Sequence, residues 1–228
     1  QGAAPTEGTY VRYDHEAMIG IVALEAQRAG AVVVGEDLGT VQPWVRDYLR
    51  ERGLLGTSIL WFERDERTRA PLPAQVWREY CLSSVTTHDL PPTAGYLAGD
   101  HVRLRDSLGL LTRPAEDELA DDAQELAAWI GELRRVGLLP VGTEPDTDEL
   151  VAALYRYLGR TPSRLLALAL TDAVGDRRTQ NQPGTTDEYP NWRVPLTDPK
   201  GRPVLLEDVF TDKRAAALCE VLRGDTRS

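Results

Sequence analysis

Four short apolar runs set between helical segments restrict this chain more than any other feature. They are AVVV at 31–34, TSILWF at 57–62, CLSSVTT at 81–87 and residues 165–171 within SRLLALALTDAVGD. AVVV is too short for a helix and apolar on both faces, as a parallel strand is when helices cover both of its sides. Helical patterns alternate with these runs. Residues 15–29, HEAMIGIVALEAQRA, read as a largely buried helix, with Asp14 as N-cap and Gly30 as its stop. Residues 41–53 are amphipathic, with Pro43 near the first turn and Gly53 at the end. PAQVWREY (73–80) reads as a short helix, and PPTAGYLAG opens with prolines that suit a helix start. Residues 101–160 then break the rhythm with three helices, about 101–111, 115–136 and 147–158, and a last helix lies near 212–223. An apolar run alone does not separate strand from helix at 165–171; it is read here as the fourth strand. The order βαβαβα, helical insertion, β implies a parallel sheet in an α/β fold. A small doubly wound domain and half of an eight-stranded barrel both accommodate it.

At 228 residues and 42% apolar content the chain is long enough to bury a sizeable core. A net charge of −10 argues against a nucleic-acid partner, which would call for a basic face. The two cysteines, Cys81 and Cys219, show neither metal-ligand spacing nor a disulfide framework, so a reduced cytoplasmic location is expected. No run approaches the roughly 18 apolar residues of a membrane span. The opening QGAAPTEGTY lacks a signal-peptide pattern and reads as a mid-chain loop, so a piece of a longer protein is expected.

Acids recur where the strands end. Glu36 and Asp37 follow the first, His88 and Asp89 the third, Thr171 and Asp172 the fourth. In barrel enzymes this edge carries the active site. Carboxylates converging on one pocket suit glycosidic chemistry, in which one acid protonates a leaving oxygen and another attacks or activates water. Low-dielectric packing around Glu36 would favour the protonated form that a general acid needs. The loop NQPGTTDEYPNWR (181–193) adds the amides of Asn181, Gln182 and Asn191 and the flat faces of Tyr189 and Trp192; Trp61 and Phe62 add aromatic surface after the second strand. Amides on hydroxyls and aromatics on ring faces are how sugars are held. Each residue also has a plainer reading. Asp37 and Asp89 could be helix caps, and His88 a satisfied structural histidine. The Asp of YDH lies at a helix start, and Trp44, Trp77 and Trp129 fall in helices as core.

Taken in order, VVVGEDLGTV, GTSILWFERD, SVTTHDLPPTAGY and DAVGDRRTQNQPGTTDEYPNWR resemble the 4-α-glucanotransferases, also called amylomaltases, over roughly residues 5–215. The resemblance implies a (β/α)8 TIM-type barrel that moves α-1,4-glucan segments to an acceptor glucan or glucose with retention, without metal or organic cofactor. It places the general acid/base on Glu36 and the third carboxylate on Asp89. It also sets His88 and Asn181 against the substrate, and the aromatic surface of Trp61 and Phe62, read from their place after the second strand, would add to those contacts. The family's nucleophile belongs to an Arg-x-Asp motif on the strand before the one that carries Glu36. VRYDH has that spacing in the wrong element. The whole chain, 1–228, is therefore expected to be the C-terminal half of the barrel, about strands five to eight, with a helical insertion at about 101–160. Its partners would be malto-oligosaccharides and the N-terminal half of the same enzyme. An α-glucan hydrolase would carry the same carboxylates, and a non-catalytic glucan-binding or structural fragment would also lack the nucleophile.

Overall fold

The computed structural model describes residues 7–9, 11–39 and 41–225. The chain divides into two compact units, residues 1–57 and 58–228.

In the first unit, α1 (His15–Ala29) and α2 (Pro43–Glu51) form as their end signals dictate. The Asp14 side chain accepts from the Ala17 N–H at 3.1 Å, and Gly30 closes α1 in the left-handed conformation at φ 62°. Asp14 is thus a cap. The two helices are joined by their own side chains. Tyr48 donates to the His15 carbonyl at 3.2 Å, Arg52 meets Glu16 at 2.9 Å, and the His15 ring lies 4.9 Å from Tyr48 and 5.1 Å from Trp44. Three expectations fail here. Helix α1 buries no residue, with Ile21 62% exposed, and Trp44 is also exposed. The run AVVV forms one parallel bridge, Val34 to Leu55, instead of a strand. Caps and periodicity act locally, whereas burial and a full ladder need neighbours on both sides. Among the described residues only the Leu55 side of this segment is paired: Leu55 N–H donates to the Val33 carbonyl at 3.0 Å and Gly35 N–H to the Leu55 carbonyl at 2.8 Å.

Strand β1 (Gly56–Ile59) runs across the division between the units. It is followed by β2 (Cys81–Ser84), α3 (Thr93–Leu97), α4 (Asp100–Ser107), α5 (Ala115–Arg135), α6 (Thr147–Gly159), β3 (Leu165–Ala167), α7 (Leu170–Val174), α8 (Leu206–Val209) and α9 (Lys213–Asp225). The strands form one sheet in the order β1-β2-β3, and β2 runs parallel to β3 with Ser83 opposite Leu166. The expected alternation is present, but the strands are shorter than the apolar runs that mark them. TSILWF ends its strand at Ile59 and turns into a 3-10 helix over Leu60–Phe62. The fourth run gives three strand residues and then helix α7, on which Asp172 faces inward to partners on α3 and α6. PAQVWREY yields a single 3-10 turn, Ala74–Val76.

The three helices expected over 101–160 form, and the last of them supplies the core. An Asp146–Glu149 capping box starts α6. Val151, Leu154, Tyr155, Tyr157 and Leu158 on α6 are buried, packed with Trp129 and Leu133 of α5 and against α9. Trp129 meets Tyr157 edge-on at 5.4 Å. Cys81 is buried and Cys219 exposed, both as free thiols.

Candidate active site

The segment that leaves β2 is shaped by its own hydroxyls. Ser84 Oγ donates to the Thr86 carbonyl at 2.9 Å, Thr86 Oγ1 to the Pro91 carbonyl at 2.8 Å, and the Asp89 N–H to Thr87 Oγ1 at 3.3 Å. This tight turn holds His88 and Asp89 half-exposed at the strand's carboxyl end, with His88 Nε2 3.5 Å from an Asp89 oxygen. The prolines Pro91 and Pro92 then lead into α3.

Helix α3 has no side-chain cap of its own, since Pro92 occupies the cap position. Asp172, on α7 just after β3, supplies one. Its carboxylate accepts from Thr93 N–H at 2.7 Å, from Thr93 Oγ1 at 2.5 Å and from the Tyr155 hydroxyl at 2.8 Å. Asp172 is 0% exposed, so this strand-end acid is a structural tie and no part of an open pocket. Burial pushes its pKa up, and the bonds from Thr93 and Tyr155 only partly oppose that. Gly95 makes a second tie: a Cβ there would lie 2.2 Å from the Arg177 carbonyl oxygen. A third is the bidentate grip of Arg177 on Asp100, at 2.7 and 2.9 Å.

These ties aim the loop 177–193. Its base is Asp176, buried, which accepts from the Arg178 N–H and guanidinium at 2.9–3.1 Å and from the Thr197 N–H at 2.9 Å. Burial alone would raise the Asp176 pKa, but the Arg178 and Thr197 donors outweigh it and hold the group below its ordinary value. Higher up, Asn191 accepts from the Gln182 N–H at 2.7 Å and donates to Thr185 Oγ1 at 2.8 Å, and the Tyr189 hydroxyl donates to the Thr179 carbonyl at 2.5 Å. So Asn191 and Tyr189, which sequence reading offers to a ligand, are spent on building the loop. Gln182 is likewise buried.

Asn181 is aimed outward. Its Nδ2 donates to Asp89 Oδ1 at 2.6 Å. Beside it Trp192 is 65% exposed and adopts φ 62°, which a bulky non-glycine residue rarely takes. Its N–H is fixed on the Gln180 carbonyl at 2.9 Å, and its ring lies 4.9 Å from that of His88. His88, Asp89 and Asn181, chosen from sequence, thus meet in one cluster with Trp192.

Two other choices need correction. Trp61 is 7% exposed and packs its ring 4.4 Å from Tyr96 and 6.2 Å from Trp129, so it is core. Beyond Ile59 the 3-10 turn ends strand alternation and rotates Trp61 inward, leaving Phe62 exposed. Glu36, in the first unit, is exposed, so the expected low-dielectric packing is absent. Its neighbour Asp37 takes the buried position. Asp37 is 3% exposed, accepts from the Thr57 N–H at 2.8 Å and lies 3.7 Å from Arg46, and it does not cap α2, whose N-cap is Gln42.

Among the described residues no group of three or more His, Cys, Asp or Glu is arranged to hold a metal ion, and no helix is long and apolar enough to cross a membrane.

The sequence model of the 4-alpha-glucanotransferase family matches residues 1–200. The chain belongs to the 4-alpha-glucanotransferase family. A 4-alpha-glucanotransferase of Mycobacterium tuberculosis is 77% identical over 230 residues, taking in 100% of this chain and 32% of the relative. The amylomaltase of Corynebacterium glutamicum superposes with a TM-score of 0.89 at 45% identity, covering 97% of this chain and 33% of that one. The amylomaltase of Streptococcus agalactiae, solved in complex with acarbose, matches at TM-score 0.63 over 97% of this chain and 37% of its own, and at 19% identity it speaks for the fold alone. The chain therefore has the α/β fold of the amylomaltases and spans about a third of the length of these relatives.

Proposed function

We propose that this chain is the C-terminal half of the (β/α)8 barrel of a cytoplasmic 4-α-glucanotransferase, about strands five to eight, with a helical insertion at about 101–160. The enzyme moves α-1,4-glucan segments to an acceptor glucan by double displacement with retention. The observation that carries the reading is the bond from Asn181 to Asp89 beside His88, at the carboxyl end of β2, in a chain of this family.

Retaining transfer needs a nucleophile and a proton donor about 5–5.5 Å apart on opposite sides of the scissile bond. Glu36 is the proton donor and later the base. Asp89 grips ring hydroxyls and stabilises the oxocarbenium-like transition state, with His88 and Asn181 holding its orientation and contacting the same sugar; Phe62 offers an aromatic contact. The nucleophile lies on a part of the enzyme outside these 228 residues. That same part covers the apolar face of α1 and pairs the free side of residues 31–34.

The test uses the full-length enzyme acting on maltotriose. Glu36→Gln should lower turnover by a factor of about 100 or more while maltotriose still binds, because an amide cannot take and return a proton. Asp89→Asn should also lower turnover strongly, as the transition-state charge loses its counter-charge. Near-normal turnover of Glu36→Gln overturns the assignment. Sustained disproportionation by the 228-residue chain alone would instead put a nucleophile within it.

A further inference from the structure

The 2.6 Å bond between Asp89 and Asn181 joins residues 92 positions apart. Helix α3 connects the two segments that carry them. At its start it continues the Asp89 turn. Thr86 Oγ1 holds the Pro91 carbonyl at 2.8 Å, Pro91 and Pro92 have no N–H to give, and the next N–H along the chain is that of Thr93. One turn further on, α3 meets the backbone that leads to Asn181, for a Cβ at Gly95 would lie 2.2 Å from the Arg177 carbonyl oxygen. The position of α3 is set in turn by Asp172, which accepts from the Thr93 N–H and hydroxyl and from the Tyr155 hydroxyl. Tyr155 Oη also accepts from the Ala169 N–H at 3.3 Å. Thr93, Tyr155 and Asp172 are all 0% exposed. The start of α3, the middle of α6 and the first turn of α7 are thus fastened at one carboxylate.

Capping α3 does not by itself explain an acid at this position. Taking a carboxylate wholly out of water costs more than one helix cap contributes, and serine, threonine or asparagine caps without the charge. Three donors on two oxygens fix the carboxylate in direction as well as distance, and Thr93 with it. Direction is what Asp89 needs from elsewhere. It is half-exposed, and the side chains beside it, Asn181 and His88, stand on the segments that α3 connects.

We propose that Asp172, with Tyr155, is a positioning residue of the transfer reaction: by holding Thr93 it fixes α3, and α3 fixes Asp89 and Asn181 against each other. This rests on the role proposed above for Asp89. Both residues are wholly buried and act without touching the sugar.

The test uses the full-length enzyme with maltotriose, turnover and binding being measured separately. Asp172→Asn keeps the shape but leaves one acceptor oxygen in place of two. It should lower kcat about tenfold or more, as misplacing a catalytic group does, and change the calorimetric Kd for maltotriose less than about twofold. Tyr155→Phe and Thr93→Val each remove one donor and should lower kcat about three- to tenfold. Thr93→Ser keeps both of its donors and should stay within about twofold of wild type. The deciding measurement repeats Asp172→Asn in an Asp89→Ala background. A residue that acts through Asp89 has little further to lose there, so the residual rate should fall less than about twofold, whereas a merely structural loss would be the same in both backgrounds. A kcat for Asp172→Asn within twofold of wild type, equal losses in the two backgrounds, or a loss confined to binding overturns the positioning role and leaves Asp89 catalytic. Near-normal turnover of Asp89→Ala overturns the reading of Asp89, and the positioning role with it. Should Asp172→Asn fail to fold, Tyr155→Phe in the two backgrounds decides by the same comparison.

Discussion

Helices α1 and α6 start from similar instructions and end in opposite surroundings. Each is opened by an aspartate that accepts from the first turn, Asp14 for α1 and Asp146 for α6, and each carries enough apolar residues to pack. Yet α6 buries Leu154, Tyr155, Tyr157 and Leu158, while α1 leaves Met18, Ile21 and Leu24 open. The end signals of a helix are satisfied by its own chain. Its burial is satisfied only by what is brought against it, and most helical stability in proteins comes from that packing. The contrast therefore separates what 228 residues can complete by themselves from what they cannot.

The sharpest way to break this contrast is to cut one residue from each side. Trp129→Ala removes a fully buried indole that packs on Tyr157 and Trp61, and should cost about 3–5 kcal/mol of stability in the isolated chain. Ile21→Ala should stay within about 0.5 kcal/mol there, as exposed positions do. In the full-length enzyme the Ile21 replacement should rise to about 2–5 kcal/mol if the rest of the polypeptide covers α1. Urea denaturation of both proteins measures this. A costly Ile21→Ala in the isolated chain would mean that α1 is already buried there.

What could be read from sequence follows the same division. Helix ends were legible at Asp14, Gly30 and Pro43 because each works on its own turn. Strand lengths were not, since AVVV carries no sign of whether both of its edges find partners. Among site residues, His88, Asp89 and Asn181 stand out through motifs whose spacing survives in the structure as one cluster. Sequence does not place Trp61, because an aromatic after a strand looks the same whether the chain continues extended or coils into a 3-10 turn. Asp172 reads as a pocket acid in sequence because its partners, Thr93 and Tyr155, are far away along the chain. The hint lay at the other end: a helix that starts after Pro91 and Pro92 has no side-chain acceptor of its own and must borrow one.

A smaller contrast lies in the adjacent acids Glu36 and Asp37. One is open to solvent; the other is buried on the Thr57 N–H. Asp37→Ala removes a buried carboxylate that accepts from that N–H and should destabilise the chain by about 1–3 kcal/mol. Glu36→Ala should change stability by no more than about 0.5 kcal/mol. Chemical denaturation of the two variants checks this. Equal losses would remove the distinction between a structural acid and one left free for chemistry.

The smallest effect concerns two buried acids at the base of the site loop, Asp172 and Asp176, whose surroundings push in opposite directions. For Asp172, burial raises the folded-state pKa above the ordinary carboxylate value of about 3.9. Its native state binds a proton before the unfolded state does, so stability is gained as pH falls from the raised pKa toward about 3.9. For Asp176, burial is outweighed by Arg178 and Thr197, and the folded-state pKa is lowered. Its contribution is complete above about 3.9 and is lost as pH falls from there through the lowered pKa. The isosteric amides separate the two. Relative to wild type, Asp172→Asn should lose the gain in the upper window, so its deficit grows on acidification from the raised pKa to about 3.9. Asp176→Asn should do the reverse: its deficit is largest at neutral pH and shrinks below about 3.9, where wild type loses the same charge. Thermal melts across pH 3–7 give both curves. Parallel curves for the two variants would mean that the loop's base does not discriminate between its acids, and that Arg178 contributes no more to Asp176 than solvent does.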